Sequence, residues 1–165
     1  MAEPTPIEIH RALSILLAEL IDGSAREAAW VLNPEDPGLL RSLDKLPGAA
    51  ASAAAPGGGP SIAAHVDHLR YGLELLNRWS RGEDPFADAD YGASWRRLTV
   101  SDRDWAKLRD QLGAEAHGWI ETVRHPRVLS DTELTGMLAS VAHLAYHLGA
   151  IRQIARSTRG PLARD

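Results

Sequence analysis

Apolar residues recur at spacings of three and four in four stretches of the chain, and no stretch alternates with a period of two. The first stretch opens on TPIE, where Thr5 suits an N-cap, Pro6 the first helical position, and Glu8 completes a capping box. Ile9, Leu13, Leu16 and Leu20 then share one helical face, and Asp22-Gly23 closes the helix. The second stretch runs from about Ser61 to Ser80 on a stripe of Ile62, Val66, Leu69, Leu73 and Leu76, and RGEDPF at 81–86 breaks it. A Trp-containing loop, DYGASWRRLTV, follows. The third helix begins at SDRD, 101–104, buries Trp105, Leu108, Leu112, Trp119 and Val123, and stops at HPRV. The fourth begins at SDTE, 130–133, with Leu134, Met137, Val141, Leu144, Leu148, Ile151 and Ala155 as its stripe.

The pattern predicts an all-α protein, a four-helix bundle forming one domain over 1–165, with residues 157–165 as a C-terminal tail. Residues 23–60 form a long connection between the first two helices. Short helical turns fit 24–31 and 38–46, whereas AAASAAAPGGGP at 49–60 offers nothing to pack and reads as a mobile loop.

Composition narrows the function classes. The chain has 165 residues, enough for one buried core, and a net charge of -4 with Arg and Asp/Glu interspersed, which gives no basic patch for nucleic acid. With no cysteine there is no disulfide, thiolate metal site or cysteine nucleophile. No basic-then-apolar leader opens the chain, and no apolar run approaches the ~18 residues of a membrane span, so a cytoplasmic protein without a membrane partner is expected. GGGP at 57–60 follows no strand, so it is no phosphate loop, and no GxSxG elbow occurs.

The remaining chemistry lies in HLAYH, 143–147. Residues four apart on a helix differ by only about 40° around the axis, so His143 and His147 project the same way, one turn apart. They flank the apolar stripe beside Gly136, Ser140 and Ala150, small residues that leave room for a pocket. Leu144 stands where a zincin has its glutamate, so a protease of that type lacks its general base. The second helix adds His65, on its buried stripe, and His68, at the stripe's edge. His65 is the favoured third ligand, although a buried histidine is also a common core residue that needs only hydrogen-bond partners. Three imidazoles with a fourth position open is the arrangement of catalytic rather than structural zinc. His10, His117 and His125 fall outside this grouping.

The segments SIAAHVDHLRYGLELLNRW, ASWRRLTVSDRDWAKLR and HLAYHLGAIRQ together resemble the DinB-like (DinB/YfiT-like) metalloenzyme family. The resemblance covers the chain from the first helix through Arg156 and implies an up-down-down-up four-helix bundle, commonly homodimeric. It implies a divalent ion, nickel or zinc, on three histidines that fall here on His65, His143 and His147, with His68 as the alternative if the second helix is shifted by a turn. The long 23–60 connection departs from the family's pattern. Some members resemble transferases or isomerases that use a low-molecular-weight thiol such as bacillithiol or mycothiol. Three classes of function are therefore expected. One is a metal-dependent enzyme, a thiol-dependent S-transferase or a hydrolase acting on a small-molecule substrate; the second is a non-catalytic metal- or small-molecule-binding bundle; the third is a purely structural bundle that dimerises, with the histidines as ordinary polar residues. Asp67, Tyr146 and Arg152 are candidates to support the site; for Arg152 the choices are pairing with a buried acid, reaching an anionic substrate carboxylate or lying at a frayed helix end, and a structural role is favoured. The five tryptophans contrast with a single phenylalanine. Trp79, Trp105 and Trp119 suit the core, and Trp30 and Trp95, in loops, are candidates to wall a pocket.

Overall fold

The computed structural model describes residues 5–55 and 57–162, so the last part of the expected tail, 163–165, lies outside the described residues. Helices and their connections make up these residues, with no strand among them. In chain order the helices are α1 (Pro6–Asp22), α2 (Gly38–Leu43), α3 (Gly48–Ala51), α4 (Ile62–Ser80), α5 (Tyr91–Ser94), α6 (Asp102–Arg124) and α7 (Asp131–Ile154), followed by a 3-10 turn at Arg156–Thr158.

Local hydrogen bonds set the helix starts. Thr5 Oγ1 accepts from Glu8 N–H while Glu8 Oε2 accepts from Thr5 N–H, and Ser130 and Glu133 repeat this box at the start of α7. Ser61 and Ser101 cap α4 and α6 through their own side-chain oxygens. Each such cap contributes ~1 kcal/mol by satisfying an amide that the helix itself leaves unpaired.

The four long helices close a ring of contacts: α4 packs on α6, α6 on α1, α1 on α7, and α7 on α4. Leu17, Leu20, Leu69, Leu112, Trp119 and Leu144 belong to its interior. The α1 face is rotated slightly from the expected one, with Leu17 fully buried and Leu16 only half-buried. Trp105 and Trp119 are core residues with their indole N–H groups satisfied, Trp105 donating to Leu46 O and Trp119 to Ser140 Oγ. Trp79 is half-buried against Phe86.

Three expectations change. The 23–60 connection is docked in part, through α2 and α3, while residues 57–60 stay exposed. Ala51 is completely buried, and a Cβ on Gly48 would meet Ser101 C at 2.8 Å, so α3 sits directly on the start of α6. Residues 24–31 form no helix; Glu19 instead holds that segment by accepting from Trp30, Val31 and Leu32 N–H. Finally, α7 is long and apolar enough to cross a membrane by length and composition, with mean hydropathy 1.3 over its best window. The interspersed Gly, Ala and Ser disguise that run, because no charged residue falls between Leu134 and Ile151. Here α7 packs against α1 and α4, and 33% of that window is buried inside the protein.

Candidate metal centre

The histidines of α4 and α7 meet where these two helices pack, under the segment that carries α5. Every residue from Ser61 to Asp67 is buried, since α4 is covered by its helical neighbours and by the 90–98 segment. Arg97 Nε donates to Asp67 Oδ2 at 2.7 Å, Ser61 Oγ donates to Leu98 O, and Tyr71 OH accepts from Asp90 N–H. These bonds lay Ser94 and Trp95 over the rings: the Trp95 indole stacks on His68 at 4.3 Å and 23°, and lies edge-on to His65 at 5.3 Å.

Three ε nitrogens gather at one point. His143 Nε2 is 3.1 Å from His68 Nε2 and 2.9 Å from His147 Nε2. His68, His143 and His147 thus form a group able to hold a metal ion, with ligand atoms within 4.8 Å of one another. Two of the outward nitrogens have partners. His68 Nδ1 lies 2.9 Å from Ser94 Oγ, and His147 Nδ1 lies 2.8 Å from His65 Nδ1.

Counting protons on this network leaves a deficit. Ser94 Oγ donates its one proton to Tyr91 O at 2.7 Å, so it accepts from His68 Nδ1–H. A neutral His68 then carries no proton on Nε2. If His147 donates from Nδ1 to His65, its Nε2 is bare as well. His143 has at most one ε proton to offer to two bare nitrogens, so one close contact pairs lone pair with lone pair. A cation at the centre removes that conflict. Extra protons are a poor substitute for it, because burial and then the neighbouring rings push His147 down to about 3 and His68 down to about 4. Burial also lowers His65 and His143.

The other expected site residues can now be placed. The favoured third ligand, His65, and its alternative, His68, both reach the cluster, His68 within the converging triple and His65 behind His147. Asp67 is buried but turned to Arg70 and Arg97, at 2.9 and 2.7 Å, where it anchors the covering segment. Tyr146 is 68% exposed and meets only the edge of the cluster, through its ring against His147 at 4.9 Å. Arg152 pairs with a buried acid, Nη2 donating to Asp36 Oδ1 at 2.6 Å. Trp95 walls the site; Trp30 is 74% exposed, and the ring contacts of the cluster go to Trp95 instead. His10 is fully buried, donating from Nδ1 to Val123 O and accepting at Nε2 from Arg127 N–H, which ties α1 to the α6–α7 turn. His117 pairs with Asp22 at the surface. Ser94 is the one site residue that the sequence pattern does not single out, because a serine at the end of a four-residue helix carries no periodic signal.

Comparison with known proteins finds nothing similar: no family model, no curated protein and no solved structure matches the chain.

Proposed function

We propose that this chain is a metal-binding four-helix bundle of the DinB-like kind, in which His68, His143 and His147 hold a divalent ion and His65 and Ser94 orient two of those rings. The observation that carries this reading is the convergence of three ε nitrogens at 3.1 and 2.9 Å, contacts that neutral rings cannot both bridge with a proton, in a place where burial and mutual repulsion disfavour imidazolium. The donor set fits such an ion. Neutral imidazoles suit nickel and zinc, two of the three have their outer nitrogen engaged, and three protein ligands leave a position for a small molecule. A divalent ion bound there polarises a thiol or water and lowers its pKa. Ser94 fixes the His68 tautomer, His65 holds the outer nitrogen of His147, and Trp95 covers that side of the rings. The chain has no cysteine, so in the enzyme reading the nucleophile is a low-molecular-weight thiol brought as cosubstrate to a small electrophile.

A non-catalytic metal- or small-molecule-binding role is the second reading, and one feature favours it. Asp67, the carboxylate on α4 between His65 and His68, is committed to two arginines and is not free to act as a base. Turnover of an electrophile with a thiol cosubstrate separates the two.

The test of the metal reading is elemental analysis of untagged protein, beside a His143→Ala/His147→Ala double variant. One nickel or zinc ion per chain, lost in the variant, is the expected result. Added metal should also stabilise the fold, by ~2.7 kcal/mol when its concentration is a hundred times the dissociation constant. Native protein that retains no divalent ion after incubation and desalting would overturn the reading.

A further inference from the structure

A pocket of about 200 Å³ opens between α4 and α7, with His143 in its wall. Leu69, Leu73, Leu76, Leu144 and Phe86 supply most of the rest, and no charged side chain lines it. The one buried polar side chain there is already occupied: Ser140 Oγ donates to Met137 O and accepts from Trp119 Nε1–H. Two lining positions have no side chain. A Cβ on Gly72 would stand 3.7 Å from His143 Cε1, and one on Gly136 would stand 3.2 Å from Trp79 Cζ3. Phe86 and Tyr91, each nearly half exposed, stand at the mouth.

Polar and apolar chemistry therefore lie on two sides of one imidazole. His143 Nε2 faces the other two ε nitrogens, while the same ring borders a hydrocarbon-lined space. A cavity of roughly 150 Å³ accommodates a benzene ring, so this one takes a six-membered ring with a carbon or two to spare. We propose that the pocket binds the uncharged hydrocarbon part, aromatic or alicyclic, of a small molecule whose polar head reaches the three-histidine centre. This rests on the metal reading for the head group alone; the pocket is a separate observation. It assigns specificity for the tail to Gly72, where a side chain would stand against His143 in the wall, and to Ala139 at the outer edge. A hydrophilic thiol or sugar conjugate would leave most of its hydroxyls unpaired here, because beyond His143 Nδ1 and the Tyr91 hydroxyl at the mouth the lining side chains are hydrocarbon or already hydrogen-bonded.

The experiment is a pair of calorimetric titrations on zinc-loaded protein with acetohydroxamate and benzohydroxamate, which share a metal-binding head and differ in the ring. Benzohydroxamate should bind roughly tenfold tighter or more. In Ala139→Phe, whose ring grows into the pocket from its exposed edge, the ratio should fall to about one. Equal affinities in the native protein, or a preference that survives the substitution, would overturn the proposal. If Ala139→Phe does not fold, Leu76→Trp replaces it, since Leu76 is half-buried on the same wall. In parallel, fluorobenzene is titrated with metal-free protein and followed by fluorine NMR. Saturable broadening supports the pocket, and its absence overturns it. Fluorobenzene binding with no response to either hydroxamate would retire the metal centre, and with it the head-group half of the proposal.

Discussion

Two buried polar clusters share α7 and are built on opposite terms. Near its C-terminal end Arg152 meets Asp36; about one turn earlier His147 begins the imidazole cluster. Burial does not separate them, since Asp36 is 3% exposed and His147 2%. Balance does. Asp36 receives both a guanidinium and the Gly38 N–H, opposite charges and donors facing acceptors, with only the Arg152 Nε–H left over. The imidazole cluster sets four groups of one kind against each other and lacks a proton for one of its contacts. A balanced cluster holds the chain together; an unbalanced one is completed from outside.

The surroundings of the ion pair show why it is structural. A Cβ on Gly160 would collide with Asp36 Oδ2, and Asn33 donates to Pro161 O, so the C-terminal segment closes over the pair. Gly23 and Gly38, both at positive φ, bring their backbones into contact beneath it, where a Cβ on Gly23 would collide with Asp36 O.

The sharpest way to break this contrast is Arg152→Met. It strands the Asp36 carboxylate and should cost ~3–5 kcal/mol in urea unfolding, without changing the metal stoichiometry. A loss below ~1 kcal/mol would show that the pair is not holding the fold. Metal affinity grades the histidines next. His65→Ala and Ser94→Ala should each weaken zinc binding about 10–100-fold, as loss of an orienting partner does, and His68→Ala should weaken it further. Were His65→Ala the more damaging, the ligand set would be His65, His143 and His147.

The pH dependence of metal-free stability comes third. His68 and His147 titrate at about 4 and about 3 in the folded chain, below the ~6.5 of an unfolded histidine. The unfolded chain therefore takes up these protons first as pH falls. The stability that neutral rings contribute is complete above about 6.5 and lost as pH drops towards 4 and then 3. Unfolding midpoints should fall across that window in the native protein and fall less in His68→Gln/His147→Gln, whose remaining slope reports the carboxylates and the other two rings. The smallest effect belongs to His147→Leu in metal-free protein at pH 7.5. It trades a conflicted ring for an apolar side chain and should change stability by less than ~1 kcal/mol in either direction. A loss as large as that of Arg152→Met would erase the distinction between the clusters.

Helix ends, and most of the positions that face inward along each long helix, are legible in the amino-acid order alone. Thr5 with Glu8 and Ser130 with Glu133 act within three residues, so their hydrogen bonds follow from the local chain. The pairing of His143 with His147 is equally local, being a property of helical pitch. The rest depends on how separate elements approach one another. His65 and His68 lie about 60° apart around α4, and the roll of that helix against α7 determines which ring joins the ε nitrogens and which stands behind. Asp36 and Arg152 are 116 residues apart, and Ser94 reaches His68 from the short helix α5, 26 residues on. No periodicity records either pairing. The docking of α3 on α6 was hidden for the same reason: an Ala/Gly run has no large apolar stripe to announce a contact, yet its small side chains are what allow two backbones to come so close.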